Sequence, residues 1–223
     1  TNKEKICKLD TFNTSGSFKF NSYSELSFEV ARVYNDAIDG RTKVNPFFDK
    51  IESPRLVLVD GFGYFELQDP EHSSDGIKES KVMQAYSLEY TLSTKFLEDF
   101  NINTGMVDSL EVLNAKDRNH IVPIVLYDQS NPKLSLLHLV LEKIYGWKIG
   151  HVDQSLKTLS RQFEIDRTSV YDFLMNDVCE KFNCYIVFDT FENTINIYAE
   201  SLTYKFIGDG KTKTFIINPP FAH

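Results

Sequence analysis

Trp147-Lys-Ile-Gly-His-Val-Asp153 is followed by Thr168-Ser-Val-Tyr-Asp-Phe-Leu174, then by Cys184-Tyr-Ile-Val-Phe-Asp-Thr190 and Thr194-Ile-Asn-Ile-Tyr198. These segments read in order as a strand, a capped helix and two strands. Ser169 with Asp172 three residues on resembles a capping box, although the usual residue at the second position is Glu or Gln. Val170, Leu174 and Val178 then repeat at helical spacing and give that helix an apolar stripe. In the last two segments Ile186 and Phe188 face one way, and Tyr185 and Val187 the other. Their connection, Phe191-Glu-Asn193, is polar apart from the Phe, so residues 184–199 predict a hairpin.

Upstream, Pro123-Ile-Val-Leu-Tyr127 predicts a short apolar strand. Asn131-Pro132 is a helix-start signal, because Asn can cap and Pro fits the first turn. Leu137, Val140, Leu141 and Ile144 follow helical spacing, and Gly146 is the C-terminal stop. Gln162–Ile165 reads as a further strand. Downstream, Gly208-Asp-Gly210 is a turn and Thr214–Ile217 a strand. The first hundred residues read as mainly β. Leu26, Phe28 and Val30 alternate with polar neighbours. Arg55-Leu-Val-Leu-Val59 and Tyr64-Phe-Glu-Leu67 flank a turn at Asp60, Gly61 and Gly63, which is a hairpin signal. Lys78 to Thr94 reads as one long extended segment, and Phe96–Phe100 as a helical turn. Residues 101–122 are polar and weakly patterned.

The pattern predicts an α+β, β-rich chain. A β-barrel-like domain covers 1–100, a connector or insertion 101–122, a smaller α/β domain 123–200, and the start of a further β segment 201–223. The 223 residues can bury a sizeable core, and 42% are hydrophobic, a globular value. Phe (18) and Tyr (11) are plentiful, which suits sheet faces. The net charge of −8 argues against a protein that reads nucleic-acid sequence, which would carry a basic face. It is compatible with a surface that DNA merely passes.

No apolar run reaches the ~20 residues that span a bilayer. The start lacks the apolar core of a signal peptide and an initiator Met, and the end carries no cap or tail, so a longer protein is expected.

Residues that could carry chemistry are few. His72 lies among Asp69, Glu71 and Asp75, but without calcium-loop spacing, and reads as a solvated turn. His151 and Asp153 sit two apart at a strand end and point the same way; no nucleophile is marked to complete a triad. Cys7, Cys179 and Cys184 form neither CxxC nor a zinc pattern, and their odd number argues against a disulfide framework. Cys179 and Cys184 read as small core residues. Gly61-Phe-Gly63 has no helix after it and is no phosphate cradle. Trp147 reads as a core anchor, and the Phe and Tyr residues lack the Lys and Arg that would accompany base stacking. The reading assigns no catalytic residue, no cofactor and no metal.

Several segments together resemble the N-terminal hub region of phage tail-tip proteins, the tail-associated lysin or prophage endopeptidase tail family. They are Tyr23-Ser-Glu-Leu-Ser-Phe-Glu-Val30, the 55–67 hairpin, Lys81-Val-Met-Gln-Ala-Tyr-Ser-Leu-Glu-Tyr90, 147–153, 168–174 and 184–198. Gly208-Asp-Gly-Lys-Thr-Lys-Thr-Phe215 resembles a turn-and-strand module of tail and baseplate proteins. The resemblance implies a homotrimer, made in the bacterial cytoplasm, at the distal end of the virion tail. It implies a tube-forming barrel-like domain that meets the tail tube, the distal tail protein and the tape-measure protein, and a channel that genome DNA passes without specific binding. Two departures stand out: no second ring-forming β-domain follows the α/β part, and no peptidase signature is visible. The rival readings are a cell-wall-degrading tail peptidase and a carbohydrate- or receptor-binding module. For a ring, Glu25, Glu29 and Glu66 are the acids that strand alternation aims at the channel, and strand 78–94 is the edge expected to pair with a neighbour.

Overall fold

Alternating burial along Glu25–Ala31 and Glu79–Ser87 organises the first half of the chain. The computed structural model describes residues 3, 5–9, 11–19, 22–35, 40–74, 79–104 and 123–200. Its strands are β1 (Phe12–Ser17), β2 (Glu25–Ala31), β3 (Val33–Asn35), β4 (Thr42–Val44), β5 (Leu56–Val59), β6 (Gly63–Leu67), β7 (Glu71–Ser74), β8 (Glu79–Ser87), β9 (Phe96–Ile102), β10 (Lys148–Val152), β11 (Phe163–Ser169), β12 (Cys184–Asp189) and β13 (Thr194–Ala199). The six-stranded first sheet runs β1-β2-β8-β6-β5, with β7 beside the first half of β8. It is antiparallel throughout. Leu26, Phe28, Val30, Phe65, Leu67, Met83 and Ala85 form its buried face, closed by Phe48 and Ile51.

Lys81 sits inside this core at 5% exposure. Its ammonium donates to the carbonyls of Phe48 (3.0 Å) and Ile51 (3.2 Å) and lies over the Phe48 ring. The charge is tolerated because each donor direction meets an oxygen or a π face. Lys81→Ala is expected to cost about 2–3 kcal/mol, since it strips two buried carbonyls of a charged donor. Urea unfolding of the variant measures it.

The second core holds Leu92, Leu97, Phe100, Phe163, Val170, Phe173, Leu174, Ile195 and Ile197 among others. A three-stranded sheet β10-β13-β12 lies on one side of it, with β10 parallel to β13. A β9/β11 ribbon lies on another side. Helix α1 (Leu136–Leu141) and the short α2 (Gln154–Lys157) flank them. A continuous helix, α3, runs over 170–182, with wide π turns at Phe173–Val178 between α-helical ends. The Ser169 hydroxyl accepts from the Asp172 amide (3.0 Å), so the expected cap is in place. Val170, Leu174 and Val178 are fully buried, as their spacing predicts.

The fold is thus α+β and strand-rich. No sheet among the described residues closes on itself, so β1 and β5 stand as open edges. Along the chain the two cores part between Ala85 and Leu92.

Four local expectations change. The extended segment 78–94 ends at Ser87, and Leu88–Thr94 winds into a 3₁₀ helix. There Thr91, Ser93 and Thr94 turn their hydroxyls back onto the carbonyls of Leu88, Tyr90 and Thr91, which offers the backbone an alternative to a strand. Phe96–Phe100 is strand, not helix, because β11 supplies a full antiparallel partner, from Phe96 opposite Ser169 to Ile102 opposite Phe163. Pro123–Tyr127 forms no strand; Val125 alone bridges to Ser135 and Ser160. Asn131 makes no side-chain cap, and Asp128 instead accepts from the amides of Ser130 and Asn131. The expected turn and strand at 208–217 lie outside the described residues, as does most of 101–122.

Candidate functional site

Three surfaces carry polar side chains in fixed geometry. The first is the outer face of the first sheet. In β2 the core face takes Leu26, Phe28 and Val30, so Glu25 and Glu29 point the other way. In β6 Phe65 and Leu67 are buried and Glu66 points out. Register places Glu25 and Glu66 on either side of Tyr86. All three acids therefore share one face, as alternation predicted. Glu25 pairs with Lys19 (3.1 Å), and Glu29 accepts from Asn13 (2.9 Å) and Ser80 (2.6 Å). The expectation that 78–94 forms an edge is corrected: β8 has β2 on one side and β6 with β7 on the other.

The second surface is the outer face of β10-β13-β12. His151 Nε2 lies 2.8 Å from Asp153 Oδ1, and the other Asp153 oxygen accepts from the Ala199 amide (2.7 Å). These bonds, that from His151 first, hold the Asp153 carboxyl below the usual carboxylate range. The His151 ring stacks on Tyr198, and Tyr198 on Tyr185. The acid is thus engaged at both oxygens, by its own strand end and by β13, and the pair pins the β10–β13 crossover.

The third is the junction of the two cores, where a cavity of about 180 Å³ is lined by residues that include Phe62, Phe65, Glu89, Tyr171, Phe188 and Thr190. Glu89 Oε1 accepts from Ser87 (2.6 Å), while Oε2 is buried with no hydrogen-bond partner among the described residues. Burial, the largest cause, pushes the Glu89 carboxyl up. Burial and the nearby Glu89 push the Tyr171 phenol up to about 12. Above the cavity the Thr190 hydroxyl accepts from the Tyr64 amide (2.8 Å), which ties the 189–193 turn to the first sheet. Lys3 adds bonds to the carbonyls of Thr190 (2.9 Å) and Phe191 (2.7 Å).

A carboxyl whose pKa is higher folded than unfolded holds its proton more tightly in the fold. That stabilisation is present below the unfolded pKa and is lost as pH rises through the folded pKa. At neutral pH Glu89 is therefore a liability. Glu89→Gln is expected to raise stability by about 1 kcal/mol at pH 7, the scale of one unsatisfied buried group. The gain should vanish near pH 4, which urea midpoints at the two pH values will show.

The other candidates fall apart or become structural. His72 lies on exposed β7 opposite Lys81, with Glu71 beside it; Asp75 is outside the described residues. No group of three His, Cys, Asp or Glu side chains among the described residues could hold a metal ion. Gly61 and Gly63 take positive φ (79° and 113°) in the β5–β6 turn. Trp147 packs on the second core, edge-on to Phe188. Cys7 and Cys179 are half-buried and Cys184 is buried. Sequence reasoning missed Glu89 and Thr190. Among the described residues no helix is long and apolar enough to cross a membrane.

No protein-family profile matches the chain. No curated protein matches it either. Among solved structures it is similar to the prophage tail protein gp18 from Listeria monocytogenes EGD-e, with 14% identity over 88% of this chain and a TM-score of 0.47. The chain spans about half of that structure, 49% of its length.

Proposed function

We propose that the chain is a non-enzymatic structural component of a phage or phage-like tail tip or baseplate hub. It closes the tail tube at the distal end of the virion tail as a homotrimer, between the distal tail protein, the tape-measure protein and the tube. The observation that carries the reading is the first sheet, with one face on a core, the acidic residues Glu25, Glu29 and Glu66 on the other, and open edges at β1 and β5. The ordered resemblance of 23–198 to hub regions supports it. The edges are unlike, so joining β1 of one copy to β5 of the next is head-to-tail and closes into a ring under cyclic symmetry. An acidic wall weakly repels phosphates and lets DNA slide. Mass photometry of the full-length protein tests the ring. A trimer mass supports it, and a monomer inside a purified tail contradicts it.

One observation favours a second reading. The stacked rings of exposed His151 and half-buried Tyr198 and Tyr185 give the second sheet an aromatic strip of the kind that contacts sugars, which fits a carbohydrate- or receptor-binding tail module. A glycan-array signal abolished by Tyr198→Ala would favour it over the hub. Clearing of a peptidoglycan zymogram by the chain would favour the tail peptidase instead.

A further inference from the structure

We propose that the cavity at the junction of the two cores binds an alkylammonium group, the end of a lysine side chain presented by a partner protein, with Glu89 as its counter-charge. Exposed Lys19 and Phe62 stand at the mouth of the cavity, while Phe65, Ser87, Ile186 and Thr190 on its lining are buried. It is therefore a cleft that opens to solvent. Its volume of about 180 Å³ is that of a cavity that takes a benzene ring, so it has room for a chain of about five heavy atoms.

Glu89 is held in place. The Ser87 hydroxyl accepts from the Ser24 amide (2.7 Å) and donates to Glu89 Oε1 (2.6 Å). That bond uses one of the roughly four lone-pair sites of the carboxylate. Oε2 takes no hydrogen bond among the described residues. Lys19, a cation on the lining, pairs with Glu25 (3.1 Å) rather than with Glu89. A half-buried acid that the fold would be more stable without is the kind of local conflict found at functional sites.

The walls suit a cation. Tyr171 and Phe188 stack with their centroids 6.0 Å apart, and both line the cleft with Phe62 and Phe65. Ring faces attract an ammonium within about 6 Å. Met175 and Ile186 give a methylene stem an apolar side. An ammonium fits better than a guanidinium, because Ser87 already occupies one of the two oxygens that a guanidinium fork would take. The rim seats one lysine already. The Lys3 ammonium donates to the carbonyls of Thr190 and Phe191 and to Asn193 Oδ1 (3.1 Å), 4.3 Å from the centre of the Tyr64 ring. Outside the mouth Phe18 (46% exposed) stacks on Phe62 (57%) at 3.9 Å, and Phe191 is 48% exposed. A free amine would leave these rings uncovered, whereas the chain on either side of a partner's lysine would cover them.

The test needs neither a ring nor a tail. The native chain, labelled with ¹⁵N, is titrated at pH 8 and constant ionic strength with acetyl-Gly-Lys-Gly-amide, n-butylammonium, n-butanol and guanidinium. The peptide and n-butylammonium should shift the amide signals of Ser24, Ser87 and Thr190 and saturate, the peptide with a Kd of about 1 mM, the scale for so small a ligand. Butanol and guanidinium should bind about tenfold more weakly or less. Glu89→Gln should weaken the peptide about tenfold or more, the loss of one charge-assisted hydrogen bond. That variant is expected to be the more stable protein, so unfolding does not explain the loss. Phe62→Ala, at an exposed position, should bring the peptide down to the affinity of n-butylammonium. No saturating shift, equal binding of butanol or guanidinium, or unchanged affinity in Glu89→Gln would overturn the site. Binding of n-butylammonium as tight as that of the peptide would overturn the assignment to a partner protein.

Discussion

Phe173→Ala is expected to destabilise the protein by about 3–5 kcal/mol, the range for emptying a buried aromatic site. Phe173 is fully buried at the centre of the second core. Its ring meets Phe100 edge-on at 5.5 Å and Phe163 at 5.1 Å, so it joins α3 to both strands of the β9/β11 ribbon. It lies at the start of the π turns of α3. Phe173→Leu, which keeps most of the volume, should cost about 1.5 kcal/mol or less. Chemical denaturation of the two variants gives both numbers, and equal losses would show that the cavity is not the cause.

Gly63→Ala should have the next largest effect, about 3–4 kcal/mol, from backbone strain at φ 113° together with a lost, partly buried hydrogen bond. A Cβ there would clash with the Thr190 hydroxyl, which is held by the Tyr64 amide. The alanine must displace the turn that ties the second core to the first sheet. Thr190→Ala alone removes one hydrogen bond and costs about 1 kcal/mol. The double variant should therefore lose less than the sum of the singles, because the clash disappears with the hydroxyl. Additive losses would mean that φ strain alone sets the penalty.

Where neighbours in sequence decide the outcome, the chain is legible. The cap at Ser169, the stripe Val170–Leu174–Val178 and the 184–199 hairpin all follow from spacings of three, four or two residues. Legibility fails where a distant partner decides. Phe96–Ile102 is held as a strand by residues 163–169, a pairing that no local pattern announces. The second failure comes from short side-chain bonds, as in the 3₁₀ turns that end the long extended segment at Ser87. The site divides the same way. Alternation put Glu25, Glu29 and Glu66 on one face. Glu89 gives no such sign: its burial arises from Tyr171 and Phe188, about 80–100 positions away in the chain, closing over it. The edges of the first sheet were misplaced for the same reason, since the pairing of β8 on both sides depends on β6 and β7 folding back beside it.

The central claim is that this chain forms a ring at the end of a tail. Electron cryo-microscopy of purified particles that carry it tests this most directly. The account predicts three copies at the distal end of the tube, with β1 of each beside β5 of the next and Glu25, Glu29 and Glu66 toward the channel. Density for the chain elsewhere on the particle, or a ring whose channel wall is built from another surface, would contradict it.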